Sequence, residues 1–274
     1  HPWVDSADGA AVRIAMTVGT AGTHGGTLRE VLQEWEAIEE VAVALNQRHG
    51  LIQSDLQVGA DVTKAKPLAA NLELSNIGVI PLGSGFILSR QEAMDLANEL
   101  ALDARGRLIR EYRNGKDLTD RPRHVFAIDT FGYTEAELRL SAPRVWQWLH
   151  DRVKPERDQN PRRNRRENWW RYGEDHPRAR RAIRDLDRYV ATVMTAKHRV
   201  FQFLKSEILP DQKLVVIGLS DAAQLGILSS QIHQSWALRA GSWLGVGNDP
   251  VYVKTRCFEA FPFPSASEEQ RAKI

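Results

Sequence analysis

The sequence predicts an α+β fold, in which mixed β-sheets pack against helices. Short β-rich runs and amphipathic runs follow one another without the regular βαβ alternation that builds a parallel sheet. Apolar side chains make up 42% of the 274 residues, and eight tryptophans add large surfaces for burial. A chain of this length can form one large domain or two small ones.

The first fifty residues predict a strand, a flexible loop and a long helix. Residues 9–18 are short and apolar, as a buried strand is, and residues 19–27 are rich in Gly and Thr. Residues 28–47 carry apolar side chains at helical spacing, with an acidic opposite face and Gly50 as a terminator. We therefore expect a helix over residues 28–47.

Two capping boxes mark helix starts in the middle of the chain. Ser89 with Glu92, and Thr134 with Glu137, have the spacing at which a hydroxyl and a carboxylate satisfy the first backbone amides of a helix. The first of these helices is expected to run from residue 90 to about residue 104.

Short strands and turns are predicted around these helices. Residues 55–85 alternate apolar runs with turn residues, and residues 125–129 form a compact β-rich run. Asn114-Gly115 is a dipeptide that favours a tight turn. Residues 143–153, which include two tryptophans, predict a further helix.

A β-hairpin is predicted over residues 188–204. Two β-rich arms flank the tripeptide Ala196-Lys197-His198, which is expected to form the tip. Residues 213–219 are apolar and β-branched, so they predict a buried strand that follows the hairpin.

One long helix and one strand are predicted after that. Ser220 is placed to cap a helix over residues 221–240, and Gly241 is placed to end it in the left-handed conformation. A Gly/Asp/Pro loop then leads into an expected strand that carries Lys254 and Arg256.

Composition excludes several classes of protein. The one cysteine, Cys257, excludes an internal disulfide framework and fits a reducing compartment such as the cytoplasm. No apolar run approaches about 20 residues, so no membrane span is expected. The start of the chain lacks the basic and apolar pattern of a signal peptide.

Charge is concentrated in one internal segment, which reads RVKPERDQNPRRNRRENWW over residues 152–170. Residues 151–188 hold 13 Arg or Lys and 8 Asp or Glu, a net of +5, whereas the rest of the chain holds 24 and 27, a net of −3. A local excess of guanidinium groups is typical of a surface that binds phosphates. The alternative is a solvated surface segment whose charges pair with one another.

Arginine forks suit phosphate oxygens, and the tandem Trp169-Trp170 is expected to anchor the segment to the core. The predicted phosphate contacts are Arg157, Arg162, Arg163, Arg165, Arg166 and, at the hairpin tip, His198.

Base-reading side chains are expected on the hairpin tip and near the C-terminus. A hairpin tip can enter a major groove, where Asn reads adenine, Asp accepts from an exocyclic amine, and Lys or Arg reads guanine. The candidates on this ground are Lys197, Arg199, Asn248, Asp249, Lys254 and Arg256. The alternative for the 248–249 loop is an ordinary turn.

The residues do not combine into a convincing catalytic set. No phosphate-cradling glycine loop or dinucleotide fingerprint is visible, and no Cys/His cluster has metal-ligand spacing. Pro210-Asp211 with Lys213 resembles part of a Mg²⁺-dependent nuclease motif but lacks the second carboxylate. Ser229-Ser230 near His233 is better explained by helix packing than by a nucleophile and its base.

From about residue 51 to residue 264, the chain resembles the target recognition domain of MmeI-like enzymes. These are bacterial type II restriction–modification proteins that combine nuclease, DNA adenine-N6 methyltransferase and target recognition in one polypeptide. The matching stretches, in order, are ADVTKAKPLAAN, GSGFILSRQEA, IREYRNGKDL, VKPERDQNPRRNRRENWW, RYVATVMTAKHRVF, LGILSSQIHQSWALRAG and LGVGNDPVYVKTRCFEAFPFP. The order and combination of these stretches carry the resemblance.

The resemblance implies a division of the chain and a set of partners. Residues 1–50 would be the end of a methyltransferase domain with its connecting helix, residues 51–264 the target recognition domain, and residues 265–274 an exposed tail. Double-stranded DNA and the methyltransferase domain of the same parent chain would be the partners. Among its base-reading positions the resemblance includes Gly247, Asp249 and the neighbourhood of Met194 to Arg199.

The departures from the family imply that this stretch is a specificity fragment. The Asn/Asp-Pro-Pro-aromatic motif, the glycine-rich S-adenosylmethionine site and the nuclease motif are absent from the sequence. S-adenosylmethionine, and Mg²⁺ if a nuclease is present, would therefore bind the parent and not this fragment. The expected function is sequence-specific recognition of double-stranded DNA that directs adenine-N6 methylation. The alternative is a protein–protein interaction module of a larger nucleic-acid-modifying assembly.

Overall fold

The structure is a computed structural model that describes residues 2–3, 12–13, 15–22, 24–36, 41–53, 56–244, 249–265, 267–271 and 273. Within these residues the strands are β1 (Pro2–Trp3), β2 (Val12–Arg13), β3 (Gly26–Glu36), β4 (Val41–Gly50), β5 (Ser75–Ile77), β6 (Ile87–Leu88), β7 (Ile109–Arg113), β8 (Val125–Ile128), β9 (Arg188–Val193), β10 (Phe201–Lys205), β11 (Leu209–Pro210), β12 (Leu214–Ile217), β13 (Ser242–Leu244) and β14 (Asp249–Val251).

The α-helices are α1 (Arg90–Asn98), α2 (Leu102–Leu108), α3 (Gly115–Thr119), α4 (Glu135–Ser141), α5 (Pro143–Arg152), α6 (Lys154–Asp158), α7 (Arg163–Glu167), α8 (Pro177–Ile183), α9 (Ala222–Ser229), α10 (Gln231–Ala240), α11 (Lys254–Cys257) and α12 (Glu268–Arg271). Three short 3₁₀ turns lie at Val62–Lys64, Ala69–Asn71 and Ser84–Phe86.

Two four-stranded sheets organise these elements, which confirms the α+β prediction. One sheet is antiparallel, in the order β10-β9-β12-β5, and the other is mixed, in the order β11-β7-β8-β6 with β11 parallel to β7. Among the described residues, the strand pairs β1-β2, β3-β4 and β13-β14 accompany these sheets.

The antiparallel sheet is buried on both faces, which explains the uninterrupted apolar run of β12. Successive side chains of a strand point to opposite faces. Leu214 and Val216 accordingly join a core that contains Ile183 of α8, while Val215 and Ile217 join a second core beneath α9 and α10.

The mixed sheet packs against α1, α4 and α5 in a third core. Both predicted capping boxes are present: Ser89 caps α1 with Glu92, and Thr134 caps α4 with Glu137. The strand at Val125–Ile128 and the helix at Pro143–Arg152 are also confirmed. The first helix is shorter than predicted, because α1 ends at Asn98 and a separate helix, α2, follows.

The helix predicted over residues 28–47 is wrong, because β3 and β4 form a long antiparallel β-ribbon there. The register of the ribbon shifts between Val31 and Gln33, so Leu32 is an extra residue in a bulge. One extra residue changes the apolar spacing of a strand from two to three, and this spacing resembles that of a helix. The ribbon is largely exposed. Its sequence therefore lacks the strict apolar and polar alternation of a strand with one buried face.

The single helix predicted over residues 221–240 is two helices. Asp221 caps α9 through the amide of Ala223, and Ser230 then caps α10 through the amide of His233. Ser220 is therefore not the cap. Gly241 is not left-handed, since its φ is −71°. A glycine is needed there because a Cβ would lie 2.6 Å from the carbonyl oxygens of Ala237 and Val251.

Three smaller expectations also need correction. Asn114-Gly115 is not a hairpin turn, because the Asn114 side chain accepts hydrogen bonds from two amides and caps α3. Of residues 55–85, the described residues 56–85 form one strand, β5, with 3₁₀ turns and isolated bridges around it. Of residues 9–18, only Val12–Arg13 form a strand among the described residues, and residues 9–11 and 14 lie outside them. No helix in the described part of the chain is long and apolar enough to cross a bilayer.

Candidate nucleic-acid interface

The predicted hairpin is confirmed as β9 and β10. Its arms pair from Arg188↔Lys205 to Thr192↔Phe201, so residues 194–200 connect them. This connection, the tip loop, holds the predicted candidates Met194, Lys197, His198 and Arg199. Lys197 and His198 are exposed at its end.

The tip loop lies directly against β14, the strand that begins at Asp249. Thr195 and Val251 form an antiparallel bridge, the amide of Ala196 donates to the carbonyl oxygen of Pro250 at 3.2 Å, and the amide of Tyr252 donates to that of Met194 at 2.8 Å. Two segments about 50 residues apart in the chain therefore form one surface. The sequence predicted each segment as base-reading, but it did not predict their pairing.

Arg199 ties these two segments together. Its guanidinium donates to the carbonyl oxygens of Val193, Met194 (3.4 Å) and Pro250 (3.3 Å), and its Cζ atom lies 5.2 Å from the centre of the Tyr252 ring. Burial lowers the pKa of Arg199 below its ordinary value. Arg199 therefore positions the two segments, and the hydrogen bonds of its guanidinium are made within the fold. Its predicted role as a base reader stays a prediction.

His233 forms a buried hydrogen bond with Tyr252. The Nε2 atom of His233 and the Oη atom of Tyr252 share a hydrogen bond of 2.9 Å, and both side chains are buried. Burial, with a smaller effect of the Arg199 charge, lowers the pKa of His233 to about 4. The imidazole is therefore neutral at pH 7, in a layer of aromatic rings beneath the tip loop.

The other predicted base-reading residues differ in burial and in the element that carries them. Asp249 is half-buried at the start of β14, whereas Gly247 and Asn248 lie outside the described residues. Lys254 and Arg256 lie on α11, not on the predicted strand. The Lys254 ammonium is paired with the Glu259 carboxylate at 2.8 Å, while Arg256 is exposed. Base reading by Lys254 and Arg256 stays a prediction.

A cavity of about 260 Å³ opens between the tip loop and α10. Its polar lining includes Lys197, His198 and Gln234. Met194 points the other way, because it packs against the core beneath α10. Lys197 and His198 therefore face the solvent, while Met194 contributes to the core.

The basic segment forms the short helix α7 and exposes most of its arginines. Arg162, Arg163 and Arg166 are exposed, and Arg165 is half-buried. Arg163 pairs with Glu167 at 2.7 Å, and Arg166 donates to the carbonyl oxygen of Asn160 at 2.7 Å.

The tryptophan pair that follows α7 is buried, as the anchor prediction requires. Trp169 is 3% exposed and Trp170 is 9% exposed. The Trp170 indole donates to the carbonyl oxygen of Tyr133 at 3.0 Å, and the Thr130 hydroxyl donates to the carbonyl oxygen of Trp170 at 2.7 Å. These bonds fix the end of the basic segment to the core of the mixed sheet.

Arg157 is buried, so the predicted phosphate contact at its surface is corrected. It is 2% exposed, and its Nη2 atom donates to the carbonyl oxygens of Pro81 (2.8 Å) and Arg171 (3.2 Å). Burial, followed by repulsion from the Arg165 charge, lowers the pKa of Arg157. Arg157 and Arg165 line a cavity with Tyr172 and His176, two residues that the sequence did not single out.

The residues considered for catalysis have structural contacts. The Asp211 carboxylate accepts hydrogen bonds from the Tyr112 hydroxyl and from the amide of Lys213. Ser230 caps α10 through the amide of His233, so it is not arranged as a nucleophile beside a base. No group of three or more His, Cys, Asp or Glu side chains among the described residues is placed to hold a metal ion.

Comparison with known proteins gives a structural relationship. No protein-family model matches the chain, and no curated protein sequence matches it significantly. Seventeen chains of solved structures do match, among them a restriction–modification enzyme in complex with DNA. That protein is the type IIL enzyme MmeI, with a TM-score of 0.64 over 89% of this chain at 16% sequence identity. At this identity the likeness shows a shared fold. The chain spans 32% of the length of that enzyme.

Proposed function

We propose that this chain recognises a specific sequence of double-stranded DNA as a module of a restriction–modification enzyme. The observation that carries the proposal is the pairing of the tip loop with β14, which joins two candidate base-reading segments in one surface. A β-hairpin or ribbon can enter the major groove, where the four base pairs are distinguishable. The fold shared with an enzyme solved on DNA supports the same function.

Base reading and backbone contact are proposed to belong to different parts of the chain. Lys197, Asp249 and Arg256 would meet base edges, with Gly247 and Asn248 beside Asp249 in the chain. Arg162, Arg163, Arg165, Arg166 and His198 would contact phosphates, which position a protein on DNA without selecting a sequence. Arg165→Ala would therefore weaken binding to every sequence and flatten its dependence on salt.

In this proposal the parent enzyme supplies the chemistry. It would be a bacterial, cytoplasmic adenine-N6 methyltransferase that uses S-adenosylmethionine, and any nuclease with its Mg²⁺ would also lie outside this chain. The β3–β4 ribbon would contact the methyltransferase domain. Leu32, Trp35 and Leu45 are 66%, 49% and 43% exposed there, and isolated two-stranded ribbons are marginally stable in water without a packing partner.

Exchange of residues 51–264 into a related full-length enzyme tests this function. If the segment selects the DNA sequence, the methylated site of the recipient changes to that of the donor. The matched control exchanges the same segment with Asp249→Ala, which would relax the new site at one base pair. An active recipient that keeps its original site would contradict the proposal. It would favour the alternative, a protein–protein module whose arginines pair with acidic surfaces.

A further inference from the structure

Two segments of the chain meet at the base of the tip loop. The first, residues 114–124, contains α3, and the second, residues 211–213, is the turn between β11 and β12. The amide of Asp211 donates to the carbonyl oxygen of Arg113, the residue before the first segment, at 2.8 Å. The two segments therefore form one surface, which we call the ledge.

Both segments of the ledge contact the residues at which the tip loop begins. The carbonyl oxygen of Lys213 accepts a hydrogen bond from the amide of Met194 at 2.7 Å. The start of α3 packs against Val193, since a Cβ at Gly115 would lie 2.9 Å from the Val193 Cγ1 atom. The position of the ledge beside the tip loop is therefore set by a backbone hydrogen bond and by close packing.

The acidic side chains of the ledge are mostly engaged within the fold. The Asp117 side chain is 1% exposed, and its carboxylate accepts hydrogen bonds from the guanidinium of Arg123 at 2.8 and 2.9 Å. The half-buried Asp211 accepts from the Tyr112 hydroxyl and from the amide of Lys213. Of the acidic residues of the ledge, Asp120 alone is exposed.

The basic side chains of the ledge, by contrast, are all exposed: Lys116, Arg121, Arg123 and Lys213. Arg123 is paired with Asp117. The other three side chains have neither an ion pair nor a hydrogen bond among the described residues. The exposed charge of the ledge is thus four basic residues against one acidic residue, which is complementary to a phosphate backbone.

We propose that the ledge contacts the DNA phosphates that flank the groove entered by the tip loop. The contact rests on the function proposed above and goes beyond it, because neither α7 nor the base-reading candidates include these residues. The major groove is about 12 Å wide, so a hairpin tip that reaches base edges brings its own base close to the bordering strands. Lys116 and Lys213 would each neutralise a phosphate there. Since phosphate contacts carry no sequence information, the ledge would set the depth and orientation of the tip loop and leave the choice of bases to other residues.

Binding of short duplexes to the chain at several salt concentrations tests the ledge. Lys116→Gln and Lys213→Gln are each expected to weaken binding to every sequence by about tenfold at about 50 mM salt, because a charged partner of a phosphate is removed. Each also reduces the slope of log affinity against log salt by about 0.9. Lys116→Arg and Lys213→Arg retain the charge and keep the slope. Thermal unfolding stays unchanged in all four variants, since both side chains are exposed.

Lys205→Gln is the matched control. Lys205 is exposed at the opposite end of the same hairpin, four residues beyond Phe201 and therefore about 13 Å farther from the tip. It removes the same charge and leaves the slope unchanged. Equal reductions of the slope in Lys205→Gln and in the two ledge variants overturn the proposal, because they would show a diffuse effect of charge. Loss of preference at a single base pair in either ledge variant also overturns it, because the ledge would then read a base.

Failure of the ledge and failure of the proposed function give different results. If the chain selects a sequence but Lys116→Gln and Lys213→Gln bind as the wild type does, the ledge is overturned and the function stands. If the chain binds all duplexes equally and the slope still falls in the two ledge variants, the ledge stands and sequence recognition is contradicted. A chain that binds no duplex at low salt contradicts both.

Discussion

Asp249 is the described residue at which base selection is most directly testable. It begins β14, next to the bridge between Thr195 and Val251, and it is half-buried. A carboxylate accepts a hydrogen bond from the exocyclic amine of cytosine or adenine. Asp249→Ala is expected to cost about 1–3 kcal/mol at one base pair and to relax the preference there. Binding to a series of duplexes that differ at one base pair each measures this. Equal weakening on every duplex would show that Asp249 reads no base.

His233 gives a prediction for the dependence of stability on pH. Its pKa is about 4 in the folded chain and about 6.5 in an unfolded one, so only the unfolded chain gains a proton between these values. Stability is therefore complete above pH 6.5 and falls as the pH is lowered towards 4. Between pH 7 and pH 5 the expected loss is on the order of 2 kcal/mol.

Chemical denaturation at several pH values measures this loss. His233→Asn removes the titrating group and is expected to flatten the curve, whatever its own effect on stability. His198→Asn is the matched control, since His198 is exposed in the tip loop. A curve that keeps its slope in His233→Asn would show that another group carries the dependence.

The roles of single arginines were the least predictable part of the site. Arg157 and Arg199 were predicted to contact DNA at the surface, because the sequence shows their charge and that of their neighbours but not their tertiary contacts. Both guanidinium groups instead bind carbonyl oxygens of distant segments, for example Pro81 and Pro250. These acceptors come from the tertiary fold, and no local pattern encodes them. The burial of Trp169 was predictable, because a tandem of tryptophans carries more apolar surface than an exposed segment accommodates.

At the scale of elements, the predictable features were those with a local physical cause. The capping boxes at Ser89 and Thr134 satisfy amides within one turn, so the sequence alone contains both partners. The β3–β4 ribbon was not predicted, because its hydrogen bonds join residues far apart in the chain. The bulge at Leu32 also gives the apolar residues a spacing that resembles that of a helix. The break at Ser230 was missed because the apolar stripe continues from α9 into α10.

The end of α10 packs so closely against β14 that it offers a test of the base-reading surface. A Cβ at Gly241 would lie 2.6 Å from the backbone oxygen of Val251, so Gly241→Ala must displace β14. We expect a loss of about 1–3 kcal/mol of stability and weaker selection at the base read by Asp249.

Gly226→Ala in α9 is the matched control for Gly241→Ala. Nothing lies within 4 Å of a Cβ at Gly226, so alanine is expected to stabilise the helix by about 0.5–1 kcal/mol. Thermal unfolding and duplex selectivity distinguish the two variants. A Gly241→Ala variant as stable and as selective as the wild type would exclude this close approach as a determinant of the surface.

The α7 helix gives a prediction for the dependence of DNA binding on salt. Replacement of both Arg162 and Arg163 by Gln should weaken binding to all sequences equally. It should also reduce the slope of log affinity against log salt by about 0.9 for each phosphate that the variant no longer neutralises. Binding between 50 and 200 mM salt, roughly the range over which this effect is large, measures the slope. Arg178→Gln changes net charge without changing α7, and loss of selectivity in the double variant would contradict a backbone role.

At the scale of the whole molecule, the β3–β4 ribbon is exposed and carries apolar side chains at its surface. Replacement of Trp35 and Leu45 by Ser should change the stability of this chain by less than about 0.5 kcal/mol, because both side chains are exposed. If the proposed methyltransferase domain contacts this surface, the same change weakens its association with this chain. Binding between the two separately produced proteins measures the effect.

Arg29→Ser, also exposed on β3, is the control for the ribbon surface. An association that is equally strong after the apolar changes would assign the interface to another surface. The division at residue 51 stays a prediction, as do the proposed partners of the ribbon. The two cores on either side of the antiparallel sheet, by contrast, follow from the alternating direction of the apolar side chains along β9 and β12.

The bridge between Thr195 and Val251 sets a length scale for specificity. Neighbouring strands lie about 4.8 Å apart, and successive base pairs of B-DNA rise by about 3.4 Å. Side chains from the tip loop and from β14 would then reach base pairs one or two steps apart. The hydrogen bonds of Arg199 hold this spacing whatever side chains project from the two segments. The preferred base at one step could therefore change by single substitutions, while the alignment of the protein on the next step stays the same.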